Sequence, residues 1–123
     1  MKEAKVRTGS AEADNAAISM ECARSLDEKK AEGIVLLDLR RVNSYFDYFL
    51  IATGNSRVHC RSLARELQRV MIGKGVRSHN RPDYDSGWIV IDFGGLIVHI
   101  FTSETRDYYQ LEKLWGDGDR LSY

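Results

Sequence analysis

A chain of 123 residues with 43% hydrophobic and 29% charged side chains has the make-up of an ordinary globular domain, large enough for one hydrophobic core without staples. Its 18 basic and 18 acidic residues cancel, which argues against a general grip on nucleic-acid phosphates but allows a local basic patch. No apolar run approaches the roughly 20 residues that span a bilayer, and MKEAKVRTGSAEADNAA has no apolar signal-peptide core, so a cytoplasmic protein with no membrane segment is expected.

Residues 1–10 read as a polar, flexible tail. From Ala11 an Ala-rich amphipathic pattern puts Ile18, Cys22 and Leu26 on one face and predicts a helix that stops at Gly33. Ile34 to Leu39 reads as a short strand, Arg40 to Ser44 as a polar connection, and Phe46 to Thr53 as a second strand. The turn Thr53-Gly54-Asn55-Ser56 follows, with Asn55 or Ser56 as the N-cap of a helix running to about Gly73. Its apolar arc is Cys60, Leu63, Ala64, Leu67, Val70 and Met71, and the opposite arc carries Arg57, Arg61, Arg65 and Arg69 at four-residue intervals. A solvated face is the simplest account of that stripe, a phosphate-contacting face the alternative.

Val76 to Asn80 is compatible with a further short strand, and RPDYDS with a loop. Trp88 to Phe101 holds two β-rich runs meeting at Gly94-Gly95. Ser103 opens a short helix with a loose capping signal, Ser103-Glu104-Thr105-Arg106. Leu111, Leu114 and Trp115 then close the domain, and residues 116–123 read as a polar tail. Cys22 and Cys60 form no paired-thiol motif and predict buried, reduced thiols.

If Gly94-Gly95 is a two-residue hairpin loop, Phe93 faces Leu96, Ile91 faces Val98 and Ile89 faces Ile100. That face is wholly apolar and belongs under the helices. The other face carries Trp88, Val90, Asp92, Ile97, His99 and Phe101, with Asp92 and His99 as diagonal neighbours. Such a mixture suits a recognition patch with aromatic anchors. It equally suits a covered face on which Asp92 and His99 satisfy buried backbone groups.

The case for catalysis is weak. An Asp–His pair suits general acid/base chemistry, yet the chain offers no nucleophile elbow, phosphate loop or metal-ligand cluster. His59, His79 and His99 lie in separate elements, and Asp83-Tyr84-Asp85 sits in a proline-containing loop rather than on a strand. Backbone N–H groups of the TGNS turn could hold a phosphate, though an ordinary cap explains them as well.

Two long blocks, DYFLIATGNSRVH (Asp47 to His59) and WIVIDFGGLIVHIFTSETRDYYQLEKLW (Trp88 to Trp115), resemble the ribosomal silencing factor family, also called RsfS or Iojap-related proteins. The resemblance extends from about Ala16 to Trp115. It implies one α/β (α+β) domain, residues 11–115, with a mixed five-stranded sheet packed with helices and a nucleotidyltransferase-like topology but no established transferase activity. It implies binding to the large ribosomal subunit through ribosomal protein L-fourteen, which blocks joining of the small subunit and lowers translation under nutrient limitation, with no cofactor and no metal.

Trp88, Asp92 and His99 match family positions, as do Tyr108, Tyr109, Leu111, Glu112 and Trp115 in the closing block. On that basis Trp88, Asp92, Phe93, Gly94, Leu96, His99 and Tyr108 are the expected ribosomal-protein contacts. Contact of Arg57, Arg61 and Arg65 with nearby ribosomal RNA, and a homodimer off the ribosome, stay open. One departure is Gly95, where the family commonly has an acid. The competing reading is a nucleotide-handling enzyme using the TGNS turn with Asp92 and His99.

Overall fold

A computed structural model describes the backbone of residues 9–42, 45–109 and 118–123, and the side chains of residues 15–42, 45–107 and 118–123. The chain order is α1 (Gly9–Glu28), β1 (Glu32–Asp38), β2 (Tyr48–Gly54), α2 (Arg57–Ile72), β3 (Trp88–Asp92), β4 (Leu96–Thr102), α3 (Ser103–Tyr109) and β5 (Asp119–Arg120). The strands form one mixed sheet ordered β3-β4-β2-β1-β5, in which β2 and β4 run parallel and every other neighbouring pair is antiparallel.

The first helix ends at Glu28, short of Gly33. Lys30 N–H bonds the Asp27 carbonyl and Ala31 N–H the Leu26 carbonyl, closing the helix with Lys30 itself at φ 70. The second helix stops in the same way: Gly75 N–H bonds Ile72, Val76 N–H bonds Met71, and Gly75 has φ 79. Periodicity alone could not place the first stop, because a lysine occupies the left-handed position that usually advertises itself as glycine. At its start, α2 is capped by Ser56, whose Oγ accepts the His59 N–H. At α3 the capping hydroxyl belongs to Thr102, one residue ahead of Ser103, and reaches Thr105.

Alternation along the strands builds two apolar layers. On one face Leu36, Leu50, Ala52, Ile89, Ile91, Val98 and Ile100 pack against Cys22, Ala23 and Leu26 of α1 and Cys60, Leu63, Leu67 and Met71 of α2. On the other, Val35, Leu37, Leu39, Phe49, Ile51, Ile97 and Phe101 cluster with Phe46, Trp88 and Val90. The central strand β2 is consequently buried at every residue. Each fully buried aliphatic side chain contributes about 1.5–3 kcal/mol. Both thiols are buried and free; burial, with Glu21 adding, pushes the Cys22 thiol up to about 12, and its Sγ lies 3.7 Å from the Met71 thioether.

The sheet has five strands, but the fifth is not Val76–Asn80. That segment is irregular, and its Asn80 carboxamide stands where a neighbouring strand would, donating to the Val90 carbonyl at 2.9 Å and accepting the Asp92 N–H at 2.9 Å. His79 N–H reaches the Asp92 carbonyl at 2.7 Å. One side chain thus occupies the outer edge of β3 and blunts it against further pairing. The fifth strand is Asp119–Arg120, in the segment read as a polar tail, and it pairs with Leu37 and Asp38 of β1.

Candidate functional site

The hairpin has the register expected from its sequence. Trp88 faces Phe101, Ile89 faces Ile100, Val90 faces His99, Ile91 faces Val98 and Asp92 faces Ile97, while Phe93 N–H bonds the Leu96 carbonyl across the Gly94-Gly95 loop. Gly94 has φ 92, which fits a loop with its left-handed residue first. The Asp92 carboxylate shapes this turn by accepting the Gly94 N–H at 2.8 Å, and it lies 3.9 Å from His79 Nδ1. A Cβ at Gly95 would stand 3.1 Å from the Asn15 amide and 3.5 Å from the Asp47 carboxylate. An acid there would therefore meet a negative group already at the hairpin tip.

The mixed face divides by strand. Ile97, His99 and Phe101 on β4 are buried, whereas Trp88, Val90 and Asp92 on β3 are half-buried. The reason is topological: β4 lies between β2 and β3, so Phe49 and Ile51 flank its side chains, while β3 is an edge. The face is thus no open patch along its whole width, and its accessible part is the β3 margin. Trp88 stacks on Phe101 with ring centroids 5.1 Å apart, and His99 lies 4.7 Å from Phe49. Burial pushes the His99 imidazole down to about 4, so it is neutral at physiological pH. Its Nδ1 accepts the Trp88 indole N–H at 3.0 Å, which puts the ring proton on Nε2, an atom sealed from solvent with no hydrogen-bond partner among the described residues.

The other named positions fall in different surroundings. Phe93 and Leu96 lie in the core layer under the helices, so their side chains present little surface. Gly94 is half-exposed at the tip. Tyr108 is in α3, but its side chain, like that of Tyr109, lies outside the described residues, as do Leu111, Glu112, Leu114 and Trp115 entirely.

No hydrogen bond joins Asp92 to His99: the acid holds the turn and the imidazole accepts from Trp88. The TGNS turn is committed internally as well. Asn55 N–H donates to His59 Nδ1 at 2.9 Å, His59 N–H to Ser56 Oγ, and His59 Nε2 to the Lys29 carbonyl at 2.8 Å. A Cβ at Gly54 would come within 2.6 Å of Cys60 Sγ, so close packing of turn and helix accounts for that glycine. Where the start of β1 lies beside the end of β2, Arg106 donates to the Gly33 carbonyl at 2.6 Å and to Thr53 Oγ1 at 2.8 Å, spanning a hollow lined by Glu32, Ser103 and Asp107.

The arginine stripe is occupied rather than simply solvated, a feature the helix pattern alone could not disclose. Arg57 donates to the Asp85 carbonyl at 2.7 Å, Arg61 to the Asp85 carboxylate at 3.0 Å, and Arg65 lies over the Tyr84 ring at 5.5 Å. Arg69 pairs with Glu66 at 2.7 Å, which holds that carboxyl below its usual range.

The described residues form a small mixed-sheet domain whose edge hairpin is blunted by Asn80 and presents half-buried Trp88, Val90 and Asp92 along one margin. The chain belongs to the ribosomal silencing factor family, whose model, described as ribosomal silencing factor during starvation, matches residues 11–122. It is 39% identical over 94 residues to the ribosomal silencing factor RsfS of Halalkalibacterium halodurans, covering 76% of this chain and 80% of that one. It is 30% identical over 121 residues to the mouse protein named mitochondrial assembly of ribosomal large subunit protein 1, covering 92% of this chain and 52% of that one. A crystal structure of a Chromobacterium violaceum protein superposes with a TM-score of 0.78 at 31% identity, covering 88% of this chain and 90% of that one. No helix among the described residues is long and apolar enough to cross a membrane.

Proposed function

We propose that this chain acts in the cytoplasm as a non-catalytic translation repressor. It binds the large ribosomal subunit through ribosomal protein L-fourteen and sterically blocks joining of the small subunit when nutrients are short. The observation that carries this reading is membership of the ribosomal silencing factor family over nearly the whole chain. The contact is assigned to the β3 margin: Trp88 as the aromatic anchor, Asp92 and Gly94 at the tip, and Tyr108 from α3. His99 supports Trp88 from behind, and Phe93 and Leu96 hold the hairpin on the core. A balanced net charge suits recognition of a protein surface rather than a broad grip on phosphate.

The non-enzyme reading draws on the separate commitments of Asp92 and His99 and on the internally bonded TGNS turn. Co-sedimentation of the purified protein with isolated large subunits, followed by a subunit-joining assay, tests the proposal. Binding with loss of joining is the expected result. Free passage of the protein, or joining undisturbed at saturation, would refute it.

A further inference from the structure

The arginine stripe and the loop lying on it carry a function of their own. Arg57, Arg61 and Arg65 follow one another at four-residue intervals, about 6 Å apart along the helix axis. Together they make a line of guanidinium groups on one face of α2, the side-chain type best suited to phosphate. The group seated against two of them is Asp85, which offers a backbone carbonyl to Arg57 and a carboxylate to Arg61. An anionic oxygen on a short acidic loop thus stands where a phosphate oxygen would stand.

We infer that the loop Arg81–Ser86 is a built-in pseudo-ligand, and that the phosphodiester backbone of RNA displaces its Asp85 arm to reach Arg57 and Arg61. Placing that RNA on the ribosome rests on the function proposed above, but the competition itself does not.

The loop is built for a local displacement. Asn80 ties its start to β3, and Ser86 Oγ bonds the Trp88 carbonyl at its end. Tyr84 is half-buried, packs against the main core and takes a hydrogen bond from Gln68 at 3.3 Å, so it acts as a pivot. Asp85 projects from that pivot with its side chain 84% exposed, so water and salt weaken its pairing with Arg61. A phosphate chain engaging both arginines at once has the advantage of multiple charges over a single carboxylate. With Asp85 seated, Arg57 and Arg61 are both engaged within the protein, which lowers their attraction for RNA until the arm is displaced.

The test uses the full chain, a fluorescein-labelled 12-base-pair RNA duplex and anisotropy titrations across a salt series. Asp85→Asn should tighten binding three- to fivefold at low salt. Asp119→Asn, the same charge change at the far edge of the sheet, should alter it less than twofold. Arg61→Ala should weaken binding and reduce the salt slope by about one. Hydrogen exchange at the Asp85 and Ser86 amides should rise when RNA is added to the unmodified protein. Equal affinities for Asp85→Asn and Asp119→Asn, an unprotected loop that ignores RNA, or no measurable RNA binding by either protein would overturn the inference. Large-subunit co-sedimentation is scored separately. An Asp85→Asn gain without sedimentation sinks the proposed function and leaves the pseudo-ligand standing, and the reverse pattern sinks the pseudo-ligand alone.

Discussion

The indole N–H of Trp88 donates to Nδ1 of His99 across the hairpin at 3.0 Å, joining a half-buried edge residue to a buried interior one. This bond requires an unprotonated Nδ1. Protonation would set two donors against each other inside an aromatic cluster that also contains Phe49 and Phe101.

Acid should therefore loosen the fold through His99. Its folded value of about 4 lies below the ordinary 6.5, so the unfolded chain binds the proton more readily. The stability contributed by the neutral imidazole is fully present above pH 6.5 and is lost as pH falls towards 4. Each unit is worth about 1.4 kcal/mol, so the window amounts to about 3 kcal/mol. Urea unfolding of His99→Phe at several pH values should show a flatter profile between pH 6.5 and 4 than the unmodified protein. Parallel profiles would mean that another group governs acid stability.

Trp88 should serve both the fold and the partner. Trp88→Ala should lower stability by about 2 kcal/mol, less than a fully buried tryptophan would, and should also weaken binding to large subunits. Trp88→Phe keeps the stacking on Phe101 and loses the bond to His99, and about 1 kcal/mol is expected. Unfolding and sedimentation of both variants separate the two roles. Unchanged binding by a folded Trp88→Ala would move the docking surface elsewhere.

The left-handed Lys30 is a correctable strain. Lys30→Gly should raise stability by about 0.5–1 kcal/mol, because α1 ends in the hydrogen-bond pattern that α2 completes with Gly75. The gain should appear as a higher urea midpoint with an unchanged slope. A loss would show that the lysine side chain contributes more than its backbone detracts.

Asn80→Ala should uncover the β3 edge. Two backbone groups, the Val90 carbonyl and the Asp92 N–H, lose their side-chain partner, at about 1–2 kcal/mol in total. Light scattering should then detect more self-association than in the unmodified protein, since an open edge invites pairing. Monodisperse behaviour at the same concentration would assign edge protection to other residues.

Much of this architecture is written locally in the sequence. The hairpin register follows from a two-residue glycine loop and the period-two pattern of a strand, which together leave one pairing of Trp88–Asp92 with Leu96–Thr102. The helix over Arg57–Ile72 follows from its apolar arc and its Ser56 cap in the same way. Family membership is equally local, because two long ordered blocks carry it.

Only the tertiary structure decided which side chains of the mixed face are covered. Alternation says that Trp88, Asp92, His99 and Phe101 share a side; it does not say that β4 is interior and β3 an edge, which depends on the parallel pairing of β2 with β4. The fifth strand was illegible because two residues carry no period, and Asp119–Arg120 acquire strand geometry only by pairing with Leu37 and Asp38 some eighty positions earlier. The arginine stripe was legible as a charge pattern, but its occupant was not, since Asp85 reaches Arg61 across 24 residues of chain. Short-range periodicity determines elements and faces; burial and partnership are set by contacts between segments far apart in sequence, and those form only when the chain closes on itself.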